Sequence, residues 1–227
     1  MALKEKDFIE IEYTGKTSDG IIFDTTDKKV AQEHELYNDK VDYGPVVICL
    51  GEGQILPGLD KKLVGKDVGK HSISLTAEEG FGKRDAKYIQ LVSTAKFTKQ
   101  GIKPMPGLQI NIDGMVGLVK TVSGGRTIVD FNNPLSGRDI SYELKVNKIV
   151  DDLKTQLESL MSFSFRLAKP EMKIEGDKVT LIFEQELPKE AQELVSKKII
   201  EVTKIKKVEF GSKKKAEVVK KEEKKKD

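Results

Sequence analysis

The chain has 227 residues, 37% hydrophobic and 34% charged, with a net charge of +3 at pH 7. That length allows one to three domains, and the single cysteine, Cys49, excludes an internal disulfide and a cysteine-built zinc site. No stretch approaches the roughly 18 apolar residues of a membrane span and no signal-type apolar segment opens the chain, so the reading is a soluble, cytoplasmic protein. The charge is uneven. From Ser212 to Asp227 eight Lys stand against three Glu and one Asp, which gives that tail +4 and leaves about −1 for the remainder.

The first predicted strand is Phe8–Thr14, where Ile9, Ile11 and Tyr13 alternate with Glu10 and Glu12. Asp19-Gly20 marks a turn before a strand from Ile21 to Asp24. The polar stretch from Thr25 to Gly44 reads as an extended loop or bulged edge. Val46 to Leu50 is an apolar strand in which Cys49 is a small buried hydrophobe, not a reactive thiol. Leu56, Leu59, Leu63 and Val64 share one face of a short helix that Gly65 stops, and His71 to Thr76 alternates again.

From Lys83 to Phe131 the pattern is a second small β unit: Leu108, Ile110 and Ile112 at period two, the hairpin signal Asp113-Gly114, a strand from Met115 to Val122, a turn at Ser123-Gly124-Gly125, and Thr127 to Phe131. A strand from Ile140 to Val150 follows, with Ile140, Tyr142, Leu144 and Val146 on one face. Beyond it the period turns helical at Leu153, Leu157, Leu160 and Met161. Strands at Glu171–Glu175 and Lys178–Glu184 meet at Gly176-Asp177, a helix starts near Pro188 and runs to Val202, and Ile205–Phe210 is a final strand. The order α-β-β-α-β predicts a small α+β domain.

No phosphate loop, metal cluster, nucleophile elbow or pair of catalytic acids stands out. His34 and His71 are far apart and read as ordinary surface or edge residues. Such a chain can still catalyse a reaction that breaks no covalent bond. Tyr13-Thr14-Gly15, Asp19-Gly20, Phe23-Asp24, the run Leu50-Gly51-Glu52-Gly53-Gln54-Ile55-Leu56-Pro57-Gly58-Leu59, Gly65, Val68-Gly69, Ala77-Glu78-Glu79-Gly80-Phe81-Gly82 and Tyr142-Glu143-Leu144 stand in order over residues 3 to 150. In that order they resemble the FK506-binding-protein (FKBP) type of peptidyl-prolyl isomerase. Gly82 through Phe97 and the β unit after it resemble the insert-in-flap domain of the SlyD-like and long archaeal branch.

The resemblance implies an α+β fold: an antiparallel half-barrel sheet around a short helix, with an inserted small β domain and a C-terminal α+β domain. The domains would be 1–84 with 131–150 (catalytic), 85–130 (insert), 151–211 (C-terminal) and 212–227 (a disordered Lys/Glu-rich tail). It implies peptidyl-prolyl cis/trans isomerisation on unfolded or partly folded chains containing X–Pro bonds, with no cofactor and no metal. The pocket walls would be Tyr13, Phe23, Val46, Ile55, Leu56, Leu59, Phe81, Leu135 and Tyr142, with Asp24 as the polar group near the bound carbonyl and the Leu56 N–H holding the client main chain. The plain alternative for each apolar residue is core packing.

Three positions depart from the family pattern. Leu59 stands where many members carry Trp, Val46 where Phe is common, and Phe81 where the flap has Tyr, which implies a wider, less polar pocket with weaker macrolide binding. The tail lacks the His and Cys of a nickel-binding one. In the insert, Tyr88, Ile89, Leu91, Phe97, Leu108, Ile110, Val116, Leu118 and Val119 divide between a core and a client-binding surface. The rival reading is a holdase chaperone with weak or no isomerase activity. The Lys-rich tail, with acids mixed in and no aromatics, is a poor nucleic-acid site. The stripe Leu153-Leu157-Leu160 packs either within its own domain or against a second copy in a homodimer.

Overall fold

The computed structural model describes residues 2–112, 114–165 and 167–213. The described residues form two compact units, one taking those up to Lys16, Ile22–Ile73 and those from Tyr142 onward, the other Thr17–Ile21 with Ser74–Ser141.

In the first unit the principal sheet is built on β1 (Phe8–Thr17). One edge of β1 pairs antiparallel with β3 (Val46–Cys49) through Phe8–Ile11, then with β2 (Ile22–Thr25) through Thr14–Lys16. The sheet continues from β1 to β9 (Ile140–Ile149) and β4 (Gly69–Leu75). Strand parity sorts β1 into two faces, as the alternation predicts: Ile9 and Ile11 are fully buried, while Glu10 and Glu12 point the other way. Tyr142, Leu144 and Val146 are buried on β9. Helix α2 (Pro57–Leu63) starts on a proline, a residue whose fixed φ suits the first helical turn, and buries Leu59 and Leu63.

The stretch predicted as a loop contains a helix, α1 (Lys28–Glu33). It buries only Ala31, too little to leave an apolar period in the sequence. Asp27 caps its start, its carboxylate accepting the N–H groups of Lys29 (2.7 Å) and Val30 (3.2 Å).

The C-terminal segment has the predicted order. Helix α4 (Leu153–Ser159) is capped by Asp152 and runs into a π turn at Leu160–Ser164; β10 (Glu171–Glu175), β11 (Lys178–Phe183), α5 (Lys189–Val202) and β12 (Lys207–Ser212) follow. Strands β10 and β11 form a hairpin through Gly176 (φ 62°), whereas β11 and β12 are parallel, with α5 as the crossover such pairs require. The segment is not packed by itself. Phe8 and Cys49, from the principal sheet, share one apolar core with Leu157, Leu160, Met161, Val195 and Ile199. Of the stripe Leu153-Leu157-Leu160, Leu157 and Leu160 are fully buried in that core and Leu153 packs against it, half-buried. Of the predicted tail, residues 214–227 lie outside the described residues.

In the second unit the four-stranded sheet has the order β5 (Ile89–Ser93), β8 (Arg126–Asp130), β7 (Met115–Ser123), β6 (Gln109–Ile112), all antiparallel. Strand β5 and helix α3 (Thr94–Thr98) were not singled out from the sequence. The two chain passages beside this sheet are tied together. Arg84 donates to Asp130 Oδ2 (2.6 Å), and Asp85 and Asn132 exchange hydrogen bonds of 2.9 and 3.1 Å.

Candidate active site

The site residues on the first unit converge because of a bulge. Gly15 pairs with Asp24 and Lys16 with Ile22, so Phe23 is the extra residue. Consecutive residues of a regular strand point to opposite faces, and the bulge removes that restriction. Phe23 and Asp24 therefore both reach the face that Tyr13 shares with Ile9, Ile11 and Gly15. Val46, opposite Ile11, belongs to the same face.

Three aromatic rings meet there. Tyr142 lies edge-on to Tyr13 (centroids 5.7 Å, 67° between planes) and to Phe23 (5.8 Å, 90°). Gly15 makes the approach possible: a Cβ there would stand 2.8 Å from Phe23 Cζ and 2.9 Å from Tyr142 Cε1. The backbone of Tyr13 is fixed by Thr26, with Tyr13 N–H donating to Thr26 Oγ1 and Thr26 N–H to Tyr13 O, both at 2.9 Å.

The electrostatics centre on Asp24. The residue keeps an exposed edge, yet its carboxyl is crowded by rings, and this burial pushes its pKa up against the lowering pull of hydrogen bonds from Tyr13 and from the Thr25 backbone. Burial, then the Asp24 charge and hydrogen bond, push the Tyr13 hydroxyl up. Tyr142 is raised by burial first, then by the charges of Asp24 and Tyr13. Both phenols therefore stay protonated donors at any working pH.

Leu56 precedes α2 at φ −55°, ψ 131°, and its carbonyl accepts from Leu59 and Asp60 at 2.9 Å each. Its own N–H has no hydrogen-bond partner among the described residues. Ile55 and Leu56 are half-buried, and Leu59 is buried at 2% exposure. Phe81 and Leu135 belong to the second unit, both half-buried there. The Phe81 carbonyl accepts from Ser136 Oγ at 3.0 Å.

A groove of ≈ 1040 Å³ opens on the other face of the principal sheet, where Glu12, Thr14, Lys70, Ser72, Glu143 and Lys145 lie beside the start of α1. Its lining is mostly charged and polar, with Tyr13 and Tyr43 beside it, and it contains neither Phe23 nor Tyr142. Cys49 is buried, and burial first, then Glu52 and Asp60, push its thiol up to about 12, so it is inert as a nucleophile at neutral pH. Among the described residues no group of three or more His, Cys, Asp or Glu is placed to hold a metal, and no helix is long and apolar enough to cross a membrane.

The insert candidates separate cleanly. Phe97, Ile110 and Val119 are buried with Val129, and Leu108 packs against them. Ile89, Leu91, Val116 and Leu118 lie on the opposite sheet face by register. Leu91 is 59% and Val116 60% exposed, and Tyr88 beside β5 is exposed as well.

The face offers aromatic walls, one carboxylate hydrogen-bonded by Tyr13 and, at Leu56, a main-chain donor without a partner among the described residues. It fits catalysis of a conformational change. Comparison with known proteins agrees. Residues 1–100 match the family model of FKBP-type peptidyl-prolyl cis-trans isomerase, and residues 90–135 match a model described as FKBP26, IF domain. The chain is 30% identical over 110 residues to the FKBP-type 16 kDa peptidyl-prolyl cis-trans isomerase of Escherichia coli, covering 46% of this chain and 74% of that protein. It is 26% identical over 148 residues to the short-type peptidyl-prolyl cis-trans isomerase of Methanocaldococcus jannaschii (65% and 94%), and 25% identical over 152 residues to the isomerase SlyD of Haemophilus influenzae (64% and 72%). This chain belongs to the FKBP-type peptidyl-prolyl cis-trans isomerases. Its substrates are accordingly proline-containing polypeptides.

Proposed function

We propose that the aromatic face of β1, β2 and β9 is where the prolyl bond rotates, with Tyr13, Phe23, Val46, Ile55, Leu56, Leu59 and Tyr142 as walls and Asp24 as its polar group. Rotation about X–Pro loses amide resonance and meets a barrier of about 18–20 kcal/mol. The twisted amide is less polar than the planar one, so an apolar, aromatic surface favours it over the ground state. Each ~1.4 kcal/mol of that preference gives roughly tenfold in rate. The unpartnered Leu56 N–H holds the client main chain, and the Tyr13–Asp24 pair faces the carbonyl of the rotating bond. The observation that carries this reading is the meeting of the three rings over Gly15 beside Asp24.

The bare face of the insert's sheet is the chaperone surface, where Ile89, Leu91 and Val116 hold apolar segments of unfolded clients. Exposed apolar patches of this kind serve association, and no residue of the insert's own core is drawn from it. The isomerase then acts on chains that the insert keeps nearby, which raises their effective concentration.

Two sets of variants test the division. Phe23→Ala should lower protease-free isomerisation of a short proline peptide and refolding of a protein client alike. The triple variant Ile89→Ser, Leu91→Ser, Val116→Ser should lower only the refolding. Loss of peptide activity in the triple variant would refute the assignment of roles.

A further inference from the structure

The loop Gly51–Gln54 leads directly into Ile55 and Leu56, and it is pinned from two sides. On its own side, the buried Asp60 carboxylate accepts the N–H groups of Gly51 (2.9 Å) and Gly53 (3.3 Å), and Gln54 Oε1 accepts the Cys49 N–H (2.8 Å). Both glycines sit at positive φ, 83° and 64°, so the loop has one tight course. From the C-terminal segment, Lys198 of α5 donates to Glu52 Oε2 at 2.5 Å, and Gln54 Nε2 donates to Ser164 Oγ at 2.9 Å.

The Lys198–Glu52 bond differs from the exposed ion pairs of the molecule. The Glu52 side chain is only 10% exposed, so its charge depends on Lys198 more than a surface carboxylate depends on its partner. The hydrogen bond and charge of Glu52 in turn hold the Lys198 ammonium above its usual range, with Glu201 adding to the pull. Ser164 ends the π turn, in which the Phe165 N–H reaches back to Leu160 O at 3.2 Å; such a widening re-aims the residues at a helix end. The apolar core already joins the C-terminal segment to the sheet. The polar bonds therefore add direction more than adhesion.

We infer that Lys198 and Ser164 are positioning residues of the isomerase: the C-terminal segment fixes the 51–54 loop and, through it, the aim of the Leu56 N–H. This rests on the reading of Leu56 as the donor to the client main chain. Without Lys198, Glu52 must move toward water and takes the loop with it. Small misplacements of a holding group weaken binding steeply.

In the full-length protein, Lys198→Met should raise KM for a short proline peptide roughly two- to tenfold, the worth of about one hydrogen bond, with little change in kcat. The backbone amide resonance of Leu56 should shift. Lys198→Arg should restore both, and Ser164→Ala should act in the same direction more weakly. A structural role alone would lower Tm and leave KM and the Leu56 amide of the folded protein unchanged, and that result overturns the inference. Should Lys198→Met fail to fold, Glu52→Gln carries the same readouts. Leu56→Pro separates the two ideas, because φ −55° suits proline and the lost N–H has no partner among the described residues. If Leu56→Pro leaves KM unchanged while Lys198→Met raises it, the donor reading falls and loop positioning stands.

Discussion

The principal sheet and the insert's sheet follow the same rule of alternation and end differently. On the principal sheet both faces are used: the aromatic rings and Asp24 occupy one, while Phe8 and Cys49 on the other enter the core of the C-terminal segment. The insert's sheet covers one face with Phe97, Ile110, Val119 and Val129 and leaves Ile89, Leu91 and Val116 bare on the other. A strand's sequence tells which residues share a face. What covers that face decides whether it becomes core, a catalytic wall or a docking surface.

The strongest way to break the comparison is to remove one side of it. Deleting residues 86–129 and closing the gap with a short turn should reduce catalysed refolding of a protein client by about tenfold or more, the equivalent of ~1.4 kcal/mol of lost client binding. Peptide isomerisation should largely persist; its disappearance would show that the two sheets do not divide the work.

Next in size is Gly15→Val. No side chain fits between Phe23 and Tyr142, so the rings must part, and peptide kcat/KM should fall by roughly tenfold with client binding to the insert unchanged. Phe97→Ala should then cost about 3–5 kcal/mol in the insert's small core. Hydrogen exchange should show the insert opening well before the principal sheet, and refolding activity should decline with it.

Asp24→Asn is subtler. The folded-state pKa of Asp24 is raised, so stability falls as the pH rises from the ordinary carboxylate range through the raised value. The full cost remains above it, and the cost is absent in acid where the group is protonated in both states. The variant should therefore melt slightly higher than the parent at neutral pH, lose that advantage toward acid pH, and isomerise peptides more slowly throughout. The smallest effect is at Cys49, whose thiol, pushed up to about 12, should resist alkylation at pH 8 until the protein is unfolded.

Much of this was legible in the chain. The alternation of Ile9, Ile11 and Tyr13 and the hairpin signals carry the strands, while the gathering of Tyr13, Phe23 and Tyr142 followed only from the resemblance to the family. Helix α1 escaped because a helix that buries only Ala31 leaves no period, and its one signal, Asp27, is a cap and not a pattern. The division of the insert's apolar residues escaped because β5 was not assigned, and without its register Leu91 and Val119 have no relative parity. The joining of the C-terminal segment to the sheet rests on pairs such as Glu52 with Lys198, 146 residues apart, which no local pattern announces. The bulge at Phe23 lies between these cases: the motif around it resembles the family, but only the register explains how neighbours 23 and 24 reach one face.

The central claim is that peptide engages the aromatic face and not the charged groove behind it. Titrating a short proline peptide into the protein and following side-chain NMR signals tests this directly. The ring protons of Tyr13, Phe23 and Tyr142 should shift together and saturate with one affinity, while the side-chain signals of Lys70 and Lys145 stay in place. Shifts confined to those lysines, with the rings unmoved, would contradict the account.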